Sequence, residues 1–300
     1  FTMTNQKLKP EKKKRYISVK ETGMKILFLI CALASIVAVI VICLFLFAKG
    51  FPAIGEIGIF KFIFGTTWKP SAEIFGIFPM IVGSIYVTAG AIIIGVPLAL
   101  LCAAFLAKFC PPKLYRILKP AINLMAGIPS IVYGFFGLVF IVPLMQTITG
   151  GSGKGIITAS ILLGIMILPT VIGVAESAIR AVPDSYYEGS LALGATHERS
   201  VFAVIFPAAK SGIFAGVILG VGRAIGETMA VIMVAGNQEI LPESILSGVR
   251  TMTANIVIEM AYSEVGSLHQ NALIATGVVL FVFILLINIS FSLLKRREKS

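Results

Sequence analysis

Hydrophobic residues run along this chain in long blocks bounded by charged ends, without the period of two that marks a half-buried strand. The runs place spans near residues 24–48, 74–107, 120–148, 156–179, 211–236 and 271–294. A helix of about 20 apolar residues crosses a hydrocarbon core of about 30 Å, so each run is long enough. Backbone groups at that depth meet no water, and stretches rich in Gly, Ala, Ile and Leu satisfy them internally as helices, which excludes barrel strands. The pattern predicts an all-α integral membrane protein with about six transmembrane helices. The first run follows basic residues as a signal peptide would, but its length and the lack of a small-residue cleavage site read as a retained span.

Composition agrees: 57% of the 300 residues are hydrophobic and 13% charged, with no polar stretch long enough to fold as a separate soluble domain. The expected organisation is a basic tail at 1–23, a transmembrane domain at 24–294 and a second basic tail at 295–300. The 25 Lys and Arg against 14 Asp and Glu sit beside the apolar runs, not on a surface patch, so nucleic acid is not an expected partner and the lipid bilayer is. With the N-terminus inside, the inner segments hold the eight basic residues before position 26, then Lys108, Lys113, Arg116 and Lys119, then Arg180, Arg199 and Lys210, then Lys295, Arg296, Arg297 and Lys299. The outer loops hold only Lys49, Lys61, Lys69, Lys154 and Arg250. Excess Lys and Arg mark the cytoplasmic side, which places both termini in the cytoplasm. Trp68 and Pro70 in the outer segment read as a headgroup-level anchor. The segment 237–270, with Arg250, Thr251, Thr253 and Asn255 before the apolar stretch Ile256 to Met260, reads as a partly re-entrant helix lining a cavity, and Cys31, Cys43, Cys102 and Cys110 as packing residues without a disulfide partner.

The inner loop 181–210 carries the most information. Ser185 and Glu188 have capping-box spacing and Gly194 is placed to end the helix that follows. Tyr186, Tyr187, Leu191 and Leu193 make that helix more apolar than an isolated solvated one needs to be. It fits either a groove on a partner or the inner face of the membrane.

Glu188, Gly189, Ser190, Gly194 and Pro207 stand at the spacing of the EAA loop of ABC-importer permeases, with Val204 at the usual Ile position and Phe206 at the usual Leu. The two Ala positions hold Gly189 and Ser190, both small. Gly127-Ile128-Pro129-Ser130-Ile131-Val132-Tyr133-Gly134 and Gly222-Arg223-Ala224-Ile225-Gly226-Glu227-Thr228-Met229-Ala230-Val231 resemble stretches of Pst-type phosphate permeases, over roughly residues 50–294. The N-terminal extension, Trp68-Lys69-Pro70 and Phe75-Gly76-Ile77 resemble the PstC-like subunit more than the PstA-like one. The resemblance implies a type I, MetI-like permease fold in the inner membrane, with residues 184–196 as the coupling helix seated on an ATPase. It implies a PstA-like sister permease, two PstB-like ATP-binding subunits carrying ATP and Mg, and a PstS-like phosphate-binding protein. No GxxxxGK[ST] pattern occurs, so the ATPase is another polypeptide. Only His197 and His269 are present, and no nucleophile–base pair or metal-ligand cluster emerges, so the chain itself is expected to be non-catalytic, without metal or cofactor.

Arg223 and Glu227 lie inside the fifth apolar run, four residues apart, a spacing that puts both on one face of a continuous helix. A central charge costs about 2.5–3.5 kcal/mol on insertion scales, so both are expected inside the bundle or on a water-lined path. A mutually neutralising pair would only lock packing. Alternatively Arg223 meets a translocating oxyanion, because its planar fork bonds two phosphate oxygens at once, and the resemblance puts both residues in the translocation path. Gly212, Gly216, Gly220, Gly222 and Gly226 mark close helix contact, suited to a dimeric pore. Pro129 and Pro169 interrupt their spans, and the hydroxyls of Ser130 and Thr170 beside them either cap the broken helices or meet the anion. Glu176 and Arg180 read as an interfacial ion pair. Glu239, Glu243, Glu259 and Glu264 give the outer loop little attraction for anions, which leaves first capture to a soluble receptor.

The expected function is therefore import of inorganic phosphate, driven by ATP hydrolysis on partner subunits. A permease for sulfate or molybdate shares the loop and the intramembrane Arg; a proton-coupled secondary transporter also uses an Arg–Glu pair but needs no coupling loop.

Overall fold

The computed structural model describes residues 11–297; the first ten residues of the basic tail 1–23 and the last three of the tail 295–300 lie outside the described residues. The chain divides into two compact units, residues 1–49 and 50–300. Helix α1 (Glu11–Ile57) makes up the described part of the first unit and opens the second. The second unit continues with α2 (Ile59–Phe64), then a two-stranded hairpin, β1 (Trp68–Lys69) against β2 (Ile74–Phe75). After it come α3 (Phe78–Ala104), α4 (Pro112–Gly127), α5 (Ser130–Phe136), α6 (Val142–Thr149), α7 (Ile156–Arg180), α8 (Asp184–Ala192) and α9 (His197–Ser200). The chain ends through α10 (Phe206–Gly226), α11 (Met229–Val234), α12 (Met252–Met260) and α13 (Leu268–Arg297).

Among the described residues, six helical stretches are long and apolar enough to cross a membrane: Glu21–Ile57, Phe78–Phe109, Ser130–Thr149, Ile156–Arg180, His197–Gly226 and Leu268–Ser290. The expected third span, 120–148, is cut at Pro129, and the part before it is the amphipathic helix α4, which buries no residue completely. The expected fifth span runs earlier than its apolar core suggests, from the polar residues at 197 to a break after Gly226. Pro169 interrupts nothing: α7 passes through it unbroken, because a single lost backbone bond is tolerated where neighbouring helices enclose the site.

Prolines instead time the π-helical turns. These occur at Phe105–Phe109, Gly137–Ile141 and Val201–Ile205, and each ends two residues before a proline: Pro111, Pro143 and Pro207. Pro143 and Pro207 lie in the continuing helix, where a proline has no N–H and its ring crowds the carbonyl four residues back, so the preceding turn widens; at Pro111 the helix has already ended in the extended Cys110.

Helix α7 is the hub. It lies between α3 and α10, and small residues set both contacts, as expected where lipid removes any hydrophobic gain from helix association. Against α3, Gly90 faces Ser160 and Gly95 faces Gly164; against α10, Gly212 faces Ala178, Gly216 faces Val174 and Gly220 faces Val171. That glycine stripe therefore packs within the chain. Gly222 and Gly226, further along α10, face open space. Around Leu162, Leu163, Met166, Ile167 and Val171 the core is fully buried. A second core gathers Phe62, Trp68, Phe75, Ile77, Met80, Met252 and Leu273 around the hairpin. Trp68 is thus a core residue, 4% exposed, packed on Phe75 and His269, and not a surface anchor. The four cysteines are free, with Cys31 and Cys102 exposed on their helices.

Candidate functional site

Two groups of residues separate along α10. Pro207 stands in its first turn and Arg223 in its last, about 24 Å apart at 1.5 Å per residue.

At the Pro207 end, α8 begins at Asp184 behind Pro183, and no side chain caps it, so the Ser185–Glu188 capping box is not formed. The helix closes as the sequence requires: Gly194 adopts φ +84°. The N–H of Gly194 bonds the Leu191 carbonyl at 2.9 Å, and that of Ala195 bonds the Ser190 carbonyl at 3.2 Å, which together make a Schellman end. Glu188, Gly189 and Gly194 are exposed, and a Cβ on Gly189 or Gly194 would meet nothing. Ser190 turns the other way: its hydroxyl lies 3.0 Å from that of Ser200, holding α8 against the start of the next span. Tyr186 and Leu193 remain largely exposed and help line an open groove of about 460 Å³ with Ser190, Arg199 and Val204. An uncovered apolar edge on a helix with no buried residue is what a docking element presents.

At the Arg223 end, the expected one-faced Arg–Glu pair does not exist. The helix stops after Gly226, and Glu227 has extended backbone at φ −71°, ψ 131°. Its Oε1 accepts from the N–H groups of Thr228 and Ala230, both at 3.2 Å, so the carboxylate serves the start of α11. Arg223 lies beside the carbonyl end of α10, where the helix dipole favours a cation. Two charges at a helix break suit opposite helix ends, and that competing use separates them. Arg223 is half-buried and makes no ion pair among the described residues; its Nη1 reaches Thr170 Oγ1 at 3.5 Å.

The second break, at Ile128–Pro129, lies level with the first. Gly134 of α5 abuts Ala230 and Met233 of α11, and Gly137 abuts Val234, so these two short helices run parallel and start side by side. Ser130 opens α5, half-buried, its hydroxyl without a hydrogen-bond partner among the described residues. Tyr133, one turn on, donates to the Met125 carbonyl at 2.9 Å across the break. The structure therefore brings Arg223 and Thr170 into contact and sets Ser130 and Glu227 at the same depth without bonding them. Irregular backbone at membrane depth persists only where it is enclosed or lines a wet cavity.

Two polar networks exceed what the spacing of charges disclosed. Glu176, 2% exposed, accepts from Tyr115 (2.8 Å), Lys119 (2.6 Å) and Arg180 (2.9 Å). Arg180 also donates to the Leu106 carbonyl at 2.7 Å and stacks on the Tyr115 ring. Only Glu176–Arg180 was visible as an i,i+4 pair; Tyr115 and Lys119 come from another helix. Tyr115 lies outside the spans, and the hydrogen bond it donates to Glu176, followed by burial, pushes its phenol above the ordinary 10.0. At the other end of the bundle Arg250, 9% exposed, binds Glu239 (2.6 Å), Glu259 (2.9 Å), Asn255 (3.2 Å) and the Asn237 carbonyl (3.2 Å). Two of the four acids of this loop, Glu239 and Glu259, are thus paired with its one arginine. The expected re-entrant stretch is α12, capped by Thr251 and buried through Asn255. No group of His, Cys, Asp and Glu suited to a metal ion occurs among the described residues.

Comparison with known proteins gives a consistent result. Residues 95–300 match the family model described as binding-protein-dependent transport system inner membrane component. The chain is 38% identical over 266 residues to the probable ABC transporter permease protein YqgH of Bacillus subtilis, covering 86% of each. It is 36% identical to the phosphate transport system permease protein PstC of Mesorhizobium japonicum, covering 81% of this chain and 80% of that one. Among solved structures, an inward-facing MetNI methionine ABC transporter superposes with TM-score 0.57 at 20% identity over 77% of this chain and 99% of that chain. A bacterial importer of the polysaccharide alginate superposes with TM-score 0.60 at 13% identity over 95% and 99%. At those identities the likeness shows the fold, that of a MetI-like ABC importer permease.

Proposed function

We propose, from the premise that this chain belongs to the family of binding-protein-dependent transport system inner membrane components, that it is one membrane half of an ATP-driven phosphate importer. Its relatives named as phosphate permeases support the substrate. The observation that carries the mechanism is the half-buried guanidinium of Arg223, without a carboxylate partner among the described residues, at a helix break and beside the hydroxyl of Thr170.

A cation held at depth without a counter-ion is a standing cost that a passing oxyanion relieves. Phosphate accepts the planar fork of Arg223, and Thr170 and Ser130 offer hydroxyls. Glu227 is tied to the start of α11, which keeps its carboxylate off Arg223.

The chain is oriented with both termini and α8 in the cytoplasm, and it performs no chemistry itself. ATP and Mg belong to two PstB-like subunits, each taking a coupling helix; here Glu188, Gly189 and Gly194 form the docking face, and Pro207 sets the turn from that loop into the membrane. A PstA-like sister completes the pore, and a PstS-like receptor delivers phosphate from outside. Closing of the ATPase pair on ATP draws the coupling helices together and turns the cavity outward.

Uptake of labelled phosphate tests this. Excess unlabelled phosphate should abolish uptake and excess sulfate should leave it intact. Competition by sulfate, or uptake that survives loss of the ATPase, would contradict the proposal.

A further inference from the structure

We infer that the π-helical turn Phe105–Phe109, at the end of α3, is a second grip on α8, and that Lys108, Phe109 and His197 are positioning residues for coupling. The inference rests on the reading of α8 as the coupling helix and adds the route by which its motion enters the membrane.

Helix α8 has no buried residue, so its flanking peptides alone would let it pivot. Three residues of this one turn hold it before, at and after its ends. Before it, the Leu106 carbonyl accepts from Arg180 at 2.7 Å. At its first residue, Lys108 Nζ lies 3.4 Å from Asp184 Oδ1 and 5.8 Å from the centre of the Tyr187 ring. Beyond it, Phe109 packs edge-on against His197 at 4.5 Å between centroids. The Nδ1 of His197 in turn lies 2.7 Å from the Tyr187 hydroxyl, back on α8. Lys108, Phe109, Tyr187 and His197 thus close a ring of contacts in which α8 cannot rotate without carrying the end of α3.

The geometry also says why this end of α3 is suited to pass on the motion. A π turn holds one residue more than the α-helix around it, and a one-residue slip between the two forms rotates whatever lies beyond. Helix α3 packs along α7 through Gly90 and Gly95, and α7 carries Thr170. A displacement of α8 therefore has a packed route to the Arg223–Thr170 contact that bypasses the loop peptides joining α8 to α7 and α10.

The test uses the complete transporter in proteoliposomes, with phosphate imported and ATP hydrolysed measured together. His197→Ala should raise ATP consumed per phosphate by about fivefold, the lower range of coupling between sites, while hydrolysis itself persists. His197→Asn keeps an acceptor near the Nδ1 position and should recover part of the loss. Tyr187→Phe, which removes one oxygen, gives the same readout if His197→Ala does not assemble. An unchanged ratio in both His197→Ala and Lys108→Met would overturn the inference. A readout independent of substrate is the distance between spin labels at Ser185 and Ala107. It should stay constant on ATP binding, and separation of the two labels would sink the grip even if phosphate proved to be the wrong substrate. Glu188→Lys separates the two readings, since it should abolish stimulated hydrolysis altogether by removing the docking face.

Discussion

Replacing Glu176 by Gln should destabilise the fold by about 3 kcal/mol. The carboxylate is 2% exposed and holds two cations and a phenol. Stranding one side of a buried pair costs about 3–5 kcal/mol. The lower end applies because Arg180 remains 45% exposed and Lys119 24%, so both cations regain some solvent. At 1.36 kcal/mol per decade, 3 kcal/mol is roughly a 150-fold shift of the unfolding equilibrium. Lys119→Met leaves Glu176 with Tyr115 and Arg180 and should cost about 1.5 kcal/mol, the value of one charged hydrogen bond. The double variant should then cost about 3 and not 4.5 kcal/mol, because the second change removes a partner already lost. Titration of the purified protein with SDS in mixed micelles measures this, with the single Trp68, buried at the other core, reporting global unfolding. A loss below about 1 kcal/mol for Glu176→Gln, the value of an exposed pair, would refute the hub assigned to this carboxylate.

Tyr115→Phe should show a pH signature. A phenol raised above its unfolded value contributes stability that is whole below about pH 10 and is lost as pH rises through the folded value. The stability gap between wild type and Tyr115→Phe should narrow in that alkaline window, and a gap constant across it contradicts the assignment. Gly220→Leu places a Cβ 2.6 Å from the Val171 side chain and should cost about 1–3 kcal/mol by overpacking, whereas Gly222→Ala, facing open space, should leave the stability of the isolated chain unchanged. Gly194→Ala forces a Cβ into a left-handed conformation and should cost about 1–2 kcal/mol, with Asn at the same position costing less; equal stability of all three would show that the Schellman end is not held. Arg250→Met takes the arginine from Glu239 and Glu259, Glu259 keeping His269 at 3.3 Å, and should lower stability by about 3 kcal/mol.

The spans were legible because length and hydropathy decide them, and the end of α8 because Gly194 supplies the left-handed turn that closes it. What escaped depends on where helices stop. Four-residue spacing makes Arg223 and Glu227 neighbours only in a continuous helix, and the break after Gly226 gives each charge a separate helix end to stabilise. The Gly226-Glu227-Thr228 run, with a carboxylate ahead of a Thr, carried a helix-start signal inside an apolar block, where hydropathy masks it. Prolines misled in both directions: Pro169 is absorbed by a packed helix, while Pro143 and Pro207 announce wide turns upstream of themselves. Partners distant in sequence, such as Tyr115 and Lys119 on Glu176 or His269 beside Trp68, have no local signature at all.

Under the proposed function, Arg223 meets the phosphate. Labelled uptake should be compared in cells carrying the intact chain and Arg223→Gln, at matched membrane levels and with ATP hydrolysis by the purified complex measured alongside. Loss of a charged contact of about 1.5–3 kcal/mol predicts uptake reduced about ten- to hundredfold, while the complex still assembles and binds ATP. Normal phosphate uptake by Arg223→Gln would make this arginine a helix-end charge and contradict the account.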